Sequence, residues 1–407
     1  MIGLKNEAFV KIAQGAIKNV PFYREWAREK GLNYRDIKSI EDLVLFPILE
    51  KKDIRSNPEK FVDERYERES DTFILFTSGT SGTPLKVFTN RVSRSKHYAF
   101  FSRIRSWYNL PIQPKRVSLF GRIIISPRIS KPPFWRHDLF NNNLLMSSYH
   151  LNPKNIKYYV EKIRKYKPQE IFSYPSSIAQ IAQYIIDNDE EPINIPLIMT
   201  TAEPLTELQR YLINRAFITK IVNQYGCTEM AFFASECCQG TMHVHPEHGI
   251  VEALEDNILG GKVLVATGFV NEVMPLIRYK VGDVIELSNS NCACGLPFPI
   301  IESLEGRIDD LIYLKDGTPI GRLDPIFKGG LGIREAQIIQ NVDSSVDIFV
   351  VPDVSFSSLN RQTIIKEFNK RTQDQLKVKV ITVKELARER NGKFKAVVGN
   401  YSPLQRK

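Results

Sequence analysis

Two hydrophobic periods alternate along this chain. Residues 1 to about 65 carry helical patterning, broken at Pro21 and Pro47. From Asp71 to about Leu304 short apolar runs alternate with amphipathic segments. The runs 72–76, 117–120, 170–174, 197–201 and 220–225 read as strands, and 205–216 as a helix. Strands separated by helices predict parallel sheet covered on both faces. The pattern changes near residues 306–310. Beyond it come a strand and turn at 311–317, a strand at 346–351, a helix at 359–372 and a strand at 378–383, which predicts a small α+β unit. We expect an α/β chain with a large N-terminal domain over 1–306 and a small mobile C-terminal domain over 307–407.

Composition narrows the picture. Of 407 residues 43% are hydrophobic, enough for ample cores. No apolar run is long enough to span a membrane, and the first residues lack a signal-peptide core. A cytoplasmic protein without a membrane span is therefore expected. The net charge of +10 invites a nucleic-acid reading, but the basic residues are scattered. The densest group, at 157–167, alternates with apolar positions at helical spacing and reads as a solvated helix face. No nucleic acid is expected as a partner; anionic small molecules suit the charge better. The oligomeric state is open.

The segment Thr77, Ser78, Gly79, Thr80, Ser81, Gly82, Thr83, Pro84, Leu85, Lys86 follows the 72–76 strand. It offers hydroxyls and backbone N–H groups to phosphate oxygens, glycines permit close approach, and Lys86 adds a cation. Its spacing is not that of a Walker loop. This loop resembles the phosphate loop of the adenylate-forming superfamily of acyl-CoA synthetases, peptide-synthetase adenylation domains and luciferases. More narrowly the chain resembles the phenylacetate–CoA ligase-like branch, especially its capsular-polysaccharide members. The stretch around Pro21, Phe22 and Tyr23 and the stretch from Phe46 to Asp53 are similar to that branch.

The resemblance implies roles residue by residue. In the run Tyr225, Gly226, Cys227, Thr228, Glu229, Tyr225 would stack on adenine, Thr228 would donate to the α-phosphate and Glu229 would hold Mg²⁺, an oxygen-seeking ion. Ala202, Glu203 and Pro204 would lie beside the purine. Asp283, ending the run from Arg278, would accept from both ribose hydroxyls, with Val281 where the family has Thr. Arg307, after Gly306, would add a contact on the ribose or phosphate side. Asp309 would be the hinge. Lys393, after Gly392, would be the catalytic lysine between the carboxylate and the α-phosphate, with Lys395 as its alternate. Tyr149, His150, Tyr174, Phe232 and Phe233 are candidates for the acyl pocket.

Five cysteines in such a chain argue against a disulfide framework. Cys237 and His243 on one loop, with Cys292 and Cys294 on another, form a Cys₃His set suited to a closed tetrahedral structural zinc; Cys238 and His245 are alternates. The implied activity is formation of an acyl-adenylate from a carboxylic acid and ATP, followed by acyl transfer. The default acceptor is CoA. An amine or hydroxyl of a sugar or amino acid is the competing acceptor, and a non-catalytic binding protein on the same fold is the rival class.

Overall fold

The computed structural model describes residues 2–67, 69–77, 84–126, 128–256, 261–288, 290–307, 312–320, 323–327, 331–388 and 394–401. The expected roles of Ser78, Gly79, Thr80, Ser81, Gly82, Thr83, Asp309 and Lys393 lie outside them, as does the side chain of Arg307. Two compact units form. One joins Met1–Trp107 to Gln224–Leu304, the other Tyr108–Asn223 to Glu305–Lys407.

The chain opens with helices α1 Ile2–Asn19, α2 Pro21–Glu29 and α3 Lys51–Ser56, then hairpin strands β1 Phe73–Phe76 and β2 Lys86–Thr89, then α4 Arg91–Trp107. Pro21 does not break helical structure but restarts it: it occupies the first position of α2, where its missing N–H costs nothing. Strand β3 Arg116–Phe120 opens the second unit, followed by β4 Trp135–Asp138, β5 Asn143–Ser147, α5 Ile156–Tyr166, β6 Glu170–Ser173, α6 Pro175–Asp187, β7 Ile193–Thr201, α7 Glu207–Ala216 and β8 Phe217–Gly226. The chain returns to the first unit through β9 Phe233–Glu236, β10 Met242–Val244, β11 Gly249–Asp256, β12 Gly261–Gly268, β13 Tyr279–Ser288 and β14 Ile300–Arg307. Its last segment holds β15 Ile312–Tyr313, β16 Pro319–Ile320, β17 Ile333–Gln340, β18 Val346–Pro352, α8 Ser358–Thr372, β19 Val378–Thr382 and β20 Val397–Gly399.

In the second unit β3, β5, β6 and β7 are parallel, with α5 and α6 as crossovers, as the helix–strand alternation predicts. β4 turns back on β5 as an antiparallel edge. The expectation of parallel sheet does not extend to residues 224–304. There β9 pairs β10, β10 pairs β14, β11 pairs β12 and β12 pairs β13, all antiparallel; among the described residues no helix lies between them, and their connections are too short to cross over. The last segment forms the order β19-β18-β17-β20 with α8, an α+β arrangement as expected. The strand β17, unmarked in the sequence reading, lies at its centre.

The first unit's core gathers Phe9, Tyr23, Trp26, Phe46 and Phe61 from its N-terminal helical segment with Leu264 and Tyr279 from its strands and Phe232 from the loop before β9. Tyr23 is fully buried; its hydroxyl donates to the Pro275 carbonyl (3.2 Å) and accepts from the Ile277 N–H (2.9 Å). No described helix is long and apolar enough to cross a membrane.

The first unit also buries a histidine pair, His97 Nδ1 to His248 Nε2 at 3.0 Å, among Phe100, Phe101 and Phe233. Burial first, then Arg94, lowers the His97 pKa to about 3. Burial first, then His97 and His245, holds His248 well below its ordinary value. A depressed folded pKa means stability that is present above the ordinary histidine value and lost as pH falls toward the folded one. Each pH unit below ~6.5 therefore costs about 1.4 kcal/mol per histidine. We expect Tm to fall steeply between roughly pH 6.5 and pH 4, with a shallower slope in His97→Gln. A flat Tm over that window contradicts this coupling.

Candidate active site

The first unit positions one group of expected residues. Gly226 ends β8, where a Cβ would meet the Gln224 side chain at 2.8 Å. Beyond it the loop carries half-buried Thr228 and buried Glu229. Met230, next in the chain, has φ of +57°. This turn rests directly on strand β12: a Cβ on Gly268 would lie 2.7 Å from the Met230 carbonyl oxygen. The backbone conformation is costly for a residue with a side chain, and such positions persist where surrounding packing fixes them.

Two phenols hold the two carboxylates of this group. The Tyr279 hydroxyl donates to Glu229 Oε1 at 2.7 Å. The Tyr225 hydroxyl donates to Asp283 Oδ2 in a short contact. Asp283 is 5% exposed, as is Glu229, so both carboxylates are aimed by buried neighbours. Tyr225 also meets Phe232 edge-on at 4.8 Å. Phe232 and Phe233 are wholly buried in the first unit.

Arg278 explains the run that leads to Asp283. At φ of +53° it forms a mostly buried ion pair with Glu252 (3.1 Å) and donates to the carbonyls of Val44 (3.3 Å) and Phe46 (3.1 Å). Leu49 adds a parallel bridge to Tyr279, its N–H on the Arg278 carbonyl at 2.9 Å. The stretch from Phe46 to Asp53 is thus a brace for the strand that presents Tyr279 and Asp283.

The phosphate-loop candidate is the connection between β1 and β2. Its ends are pinned: the Thr77 hydroxyl accepts from the Leu85 N–H at 2.9 Å, and the Thr77 N–H donates to the Leu85 carbonyl at 3.1 Å. Lys86 pairs Glu59 at 3.5 Å on the surface.

The second unit positions another group at the carboxyl ends of its parallel strands. Tyr149 follows β5 and Tyr174 follows β6; the Tyr149 hydroxyl donates to the Gly121 carbonyl at 3.1 Å, and Gly121 is also the backbone partner of Tyr174. His150 is buried, stacked on Phe134 at 5.2 Å, with Nδ1 2.8 Å from Ser147 Oγ. Ala202 follows β7 with φ of +69°, and Glu203 comes next. The Glu203 carboxylate accepts from the Ser176 N–H (3.1 Å) in the first turn of α6 and from the Phe394 N–H (2.8 Å). It therefore caps a helix start, where free N–H groups and the helix dipole favour an anion. Burial raises its pKa, and the donors from Phe394 and Ser176 oppose that rise. Arg388 lies 4.5 Å over the Phe394 ring and pairs Glu335. The residues on either side of 389–393 are thus both held within the second unit. The Gln337 Nε2 amide donates to the Lys395 carbonyl at 2.8 Å.

A third group lies in the first unit. Cys237, His243, Cys292 and Cys294 bring four ligand atoms within 4.8 Å of one another. Cys237 Sγ is 3.8 Å from Cys292 Sγ, and Cys294 Sγ is 3.4 Å from His243 Nε2. These match the ~3.8 Å and ~3.5 Å edges of a tetrahedron with metal–sulfur bonds of about 2.3 Å and metal–nitrogen bonds of about 2.0 Å. The other ring nitrogen of His243 lies 3.1 Å from the Phe298 carbonyl, the orienting contact ligating histidines use. Cys238 is exposed and outside the set, and His245 Nε2 is engaged by Ser235 Oγ at 2.8 Å. Sequence reading missed Tyr279, Ser176 and Phe394 as partners of the site carboxylates.

Residues 312–400 match the model of the CapK C-terminal domain. Protein CapK of Staphylococcus aureus is 29% identical over 376 residues, covering 89% of this chain and 80% of that protein. The phenylacetate–coenzyme A ligase of Thermus thermophilus is 25% identical over 337 residues, covering 77% of this chain and 71% of that protein. A crystal structure of 2-hydroxyisobutyryl-CoA ligase in the postadenylation state aligns with a TM-score of 0.76 at 19% identity, over 98% of this chain and 89% of that one. The chain is a homologue of protein CapK and of the phenylacetate–coenzyme A ligases, built on the adenylate-forming ligase fold with a CapK C-terminal domain.

Proposed function

We propose that this chain is an AMP-forming ligase that activates a carboxylic acid with ATP and then transfers the acyl group. A carboxylate oxygen attacks the α-phosphorus, the bond to the β-phosphate breaks and pyrophosphate leaves. The acceptor then attacks the acyl carbonyl and AMP leaves. CoA is the default acceptor: its thiol loses its proton and a thioester forms.

The observation that carries this reading is the pair of aimed carboxylates, Glu229 held by Tyr279 and Asp283 held by Tyr225. In this reading Asp283 accepts from the ribose hydroxyls, Tyr225 faces adenine and Thr228 donates to the α-phosphate. Ala202, Glu203 and Pro204 lie on the purine side, the Thr77–Thr83 loop and Lys86 meet the outer phosphates, and Arg307 adds a ribose or phosphate contact. Lys393 sits between carboxylate and α-phosphate, with Asp309 as the pivot of residues 307–407. Glu229 has the oxygen chemistry for Mg²⁺, which neutralises phosphate charge when bound. The Cys₃His set fits a structural zinc, and its four protein ligands leave no open position for catalysis. A cytoplasmic setting suits both ATP and reduced thiols.

The test is the Mg²⁺ dependence of ATP–pyrophosphate exchange. Glu229→Gln is expected to lower exchange ~10²-fold and raise the Mg²⁺ requirement. Tyr279→Phe is expected to cost about tenfold, the worth of one hydrogen bond to a charged group. An unchanged Mg²⁺ profile in both variants contradicts the role of Glu229.

A second reading, from the sequence resemblance to capsular-polysaccharide members, has as acceptor an amine or hydroxyl of a sugar or amino acid in polysaccharide biosynthesis. Offering preformed acyl-adenylate CoA or amino sugars separates the two.

A further inference from the structure

The carboxyl ends of the parallel strands in the second unit carry Tyr149, Tyr174 and Glu203. The amino ends of the same strands carry a different surface. The turn joining β4 to β5 exposes two consecutive apolar side chains, Leu139 (83%) and Phe140 (95%). Contiguous exposed apolar side chains rimmed by polar residues are the surface feature of an interaction site. Residue 116 opens β3 beside residue 143 of β5 and residue 170 of β6, so the segments preceding β3 and β6 reach this same end. They bring Ile112 (76% exposed), Lys115 and Lys167.

Tyr166 ties the basic residues to the turn. Its hydroxyl donates to the Asn142 carbonyl (3.3 Å), and its ring lies 4.6 Å from Lys115 Nζ and 5.9 Å from Lys162 Nζ. Lys162 also reaches the half-buried Trp135 of β4 (5.7 Å). His137 on β4 has its pKa lowered by burial first and then by Lys162 and Lys115, so the cations share one field. Of the nearby acids, Asp138 is engaged by the Asn141 amide at 2.7 Å, and Glu161 stands on α5.

We propose that this end of the second unit docks on an anionic membrane surface. Leu139 and Phe140 enter the interface and Lys115, Lys162 and Lys167 meet the acidic headgroups. A projecting apolar tip, flanking half-buried Trp and Tyr and a ring of lysines are the elements of interfacial binding. The residues at the opposite strand ends then face away from the membrane. The inference stands independently of the reading of the site.

The test is co-sedimentation of the full chain with vesicles of phosphatidylcholine alone or mixed with phosphatidylglycerol. Binding to the anionic vesicles is expected, falling ~10-fold as salt rises from about 0.1 to about 0.5 M. Leu139→Ser with Phe140→Ser, and separately Lys115→Glu with Lys162→Glu, are each expected to lose binding by on the order of tenfold or more. Both change exposed or half-exposed side chains, so thermal unfolding and ATP–pyrophosphate exchange should stay at the parent's values. No binding, equal binding to neutral vesicles, or unaltered binding by the variants overturns the proposal. So does self-association in solution that the same substitutions abolish, which would assign the patch to a second copy of the chain.

Discussion

Replacing Lys393 by alanine is expected to lower acyl-adenylate formation by ~10²–10³-fold while leaving the fold intact. The effect originates in charge. In-line displacement of pyrophosphate leaves negative charge on the α-phosphoryl oxygens and the attacking carboxylate, and one fixed cation between them stabilises the transition state more than the ground state. Fixing the cation needs a fixed backbone. Phe394, the next residue, is tied by its N–H to Glu203, and Arg388 on the other side is tied to Glu335. The substitution touches none of these contacts, so Tm should be unchanged. Transfer from preformed acyl-adenylate should also persist, because the charge Lys393 stabilises belongs to the first step. Undiminished ATP–pyrophosphate exchange in the variant contradicts the assignment, and Lys395→Ala then becomes the informative change.

The second large effect concerns the Cys₃His set. Cys294→Ser is expected to abolish binding of a single zinc and to destabilise the first unit. The set links the end of β9, strand β10 and the connection from β13 to β14, so a bound ion closes segments more than 50 residues apart, with Cys237 and Cys292 separated by 55 positions. A structural zinc supplies ~10–16 kcal/mol to small fingers. Losing about 3 kcal/mol of such a contribution lowers Tm by about 6–12 °C in a unit of this size. Cys238→Ser, at an exposed cysteine outside the set, should leave metal content and Tm alone. Equal zinc content in the Cys294 variant contradicts the assignment.

How far this was legible in the sequence differs by element. Strands β6 and β7 were readable, since each apolar run is followed by an amphipathic helix and the period changes with it; β3 was read as a strand too, while β5, which follows β4 with no helix before it, was not marked. The meander of residues 224–304 was not recognised as antiparallel, because a short apolar strand looks the same whichever way its neighbour runs. The Cys/His cluster was legible from residue chemistry: a Cys-x-Cys turn and a distant Cys and His are unusual in reduced chains. Which cysteine of the adjacent pair joins it depends on the direction of one side chain, and only the fold gives Cys237. The carboxylates Glu229, Asp283 and Glu203 were found through motif resemblance, but the groups that aim them were not. Tyr279 sat inside a recognised run with no sign that its hydroxyl turns toward Glu229, 50 positions away. The link from Glu203 to the Phe394 backbone leaves no trace in side-chain identity at all, because any residue at 394 except proline has the same N–H. Likewise the Phe46 to Asp53 stretch matched a family pattern while its work, bracing Tyr279 through Leu49 and Arg278, appears only in three dimensions.

The most direct test of the central claim is ATP–pyrophosphate exchange by the full chain across aryl, fatty, hydroxy and amino acids with no acceptor present. The account expects Mg²⁺-dependent exchange that requires one class of acid and collapses in Lys393→Ala. ATP binding with no exchange for any acid would contradict it and favour a non-catalytic binding protein on a ligase fold.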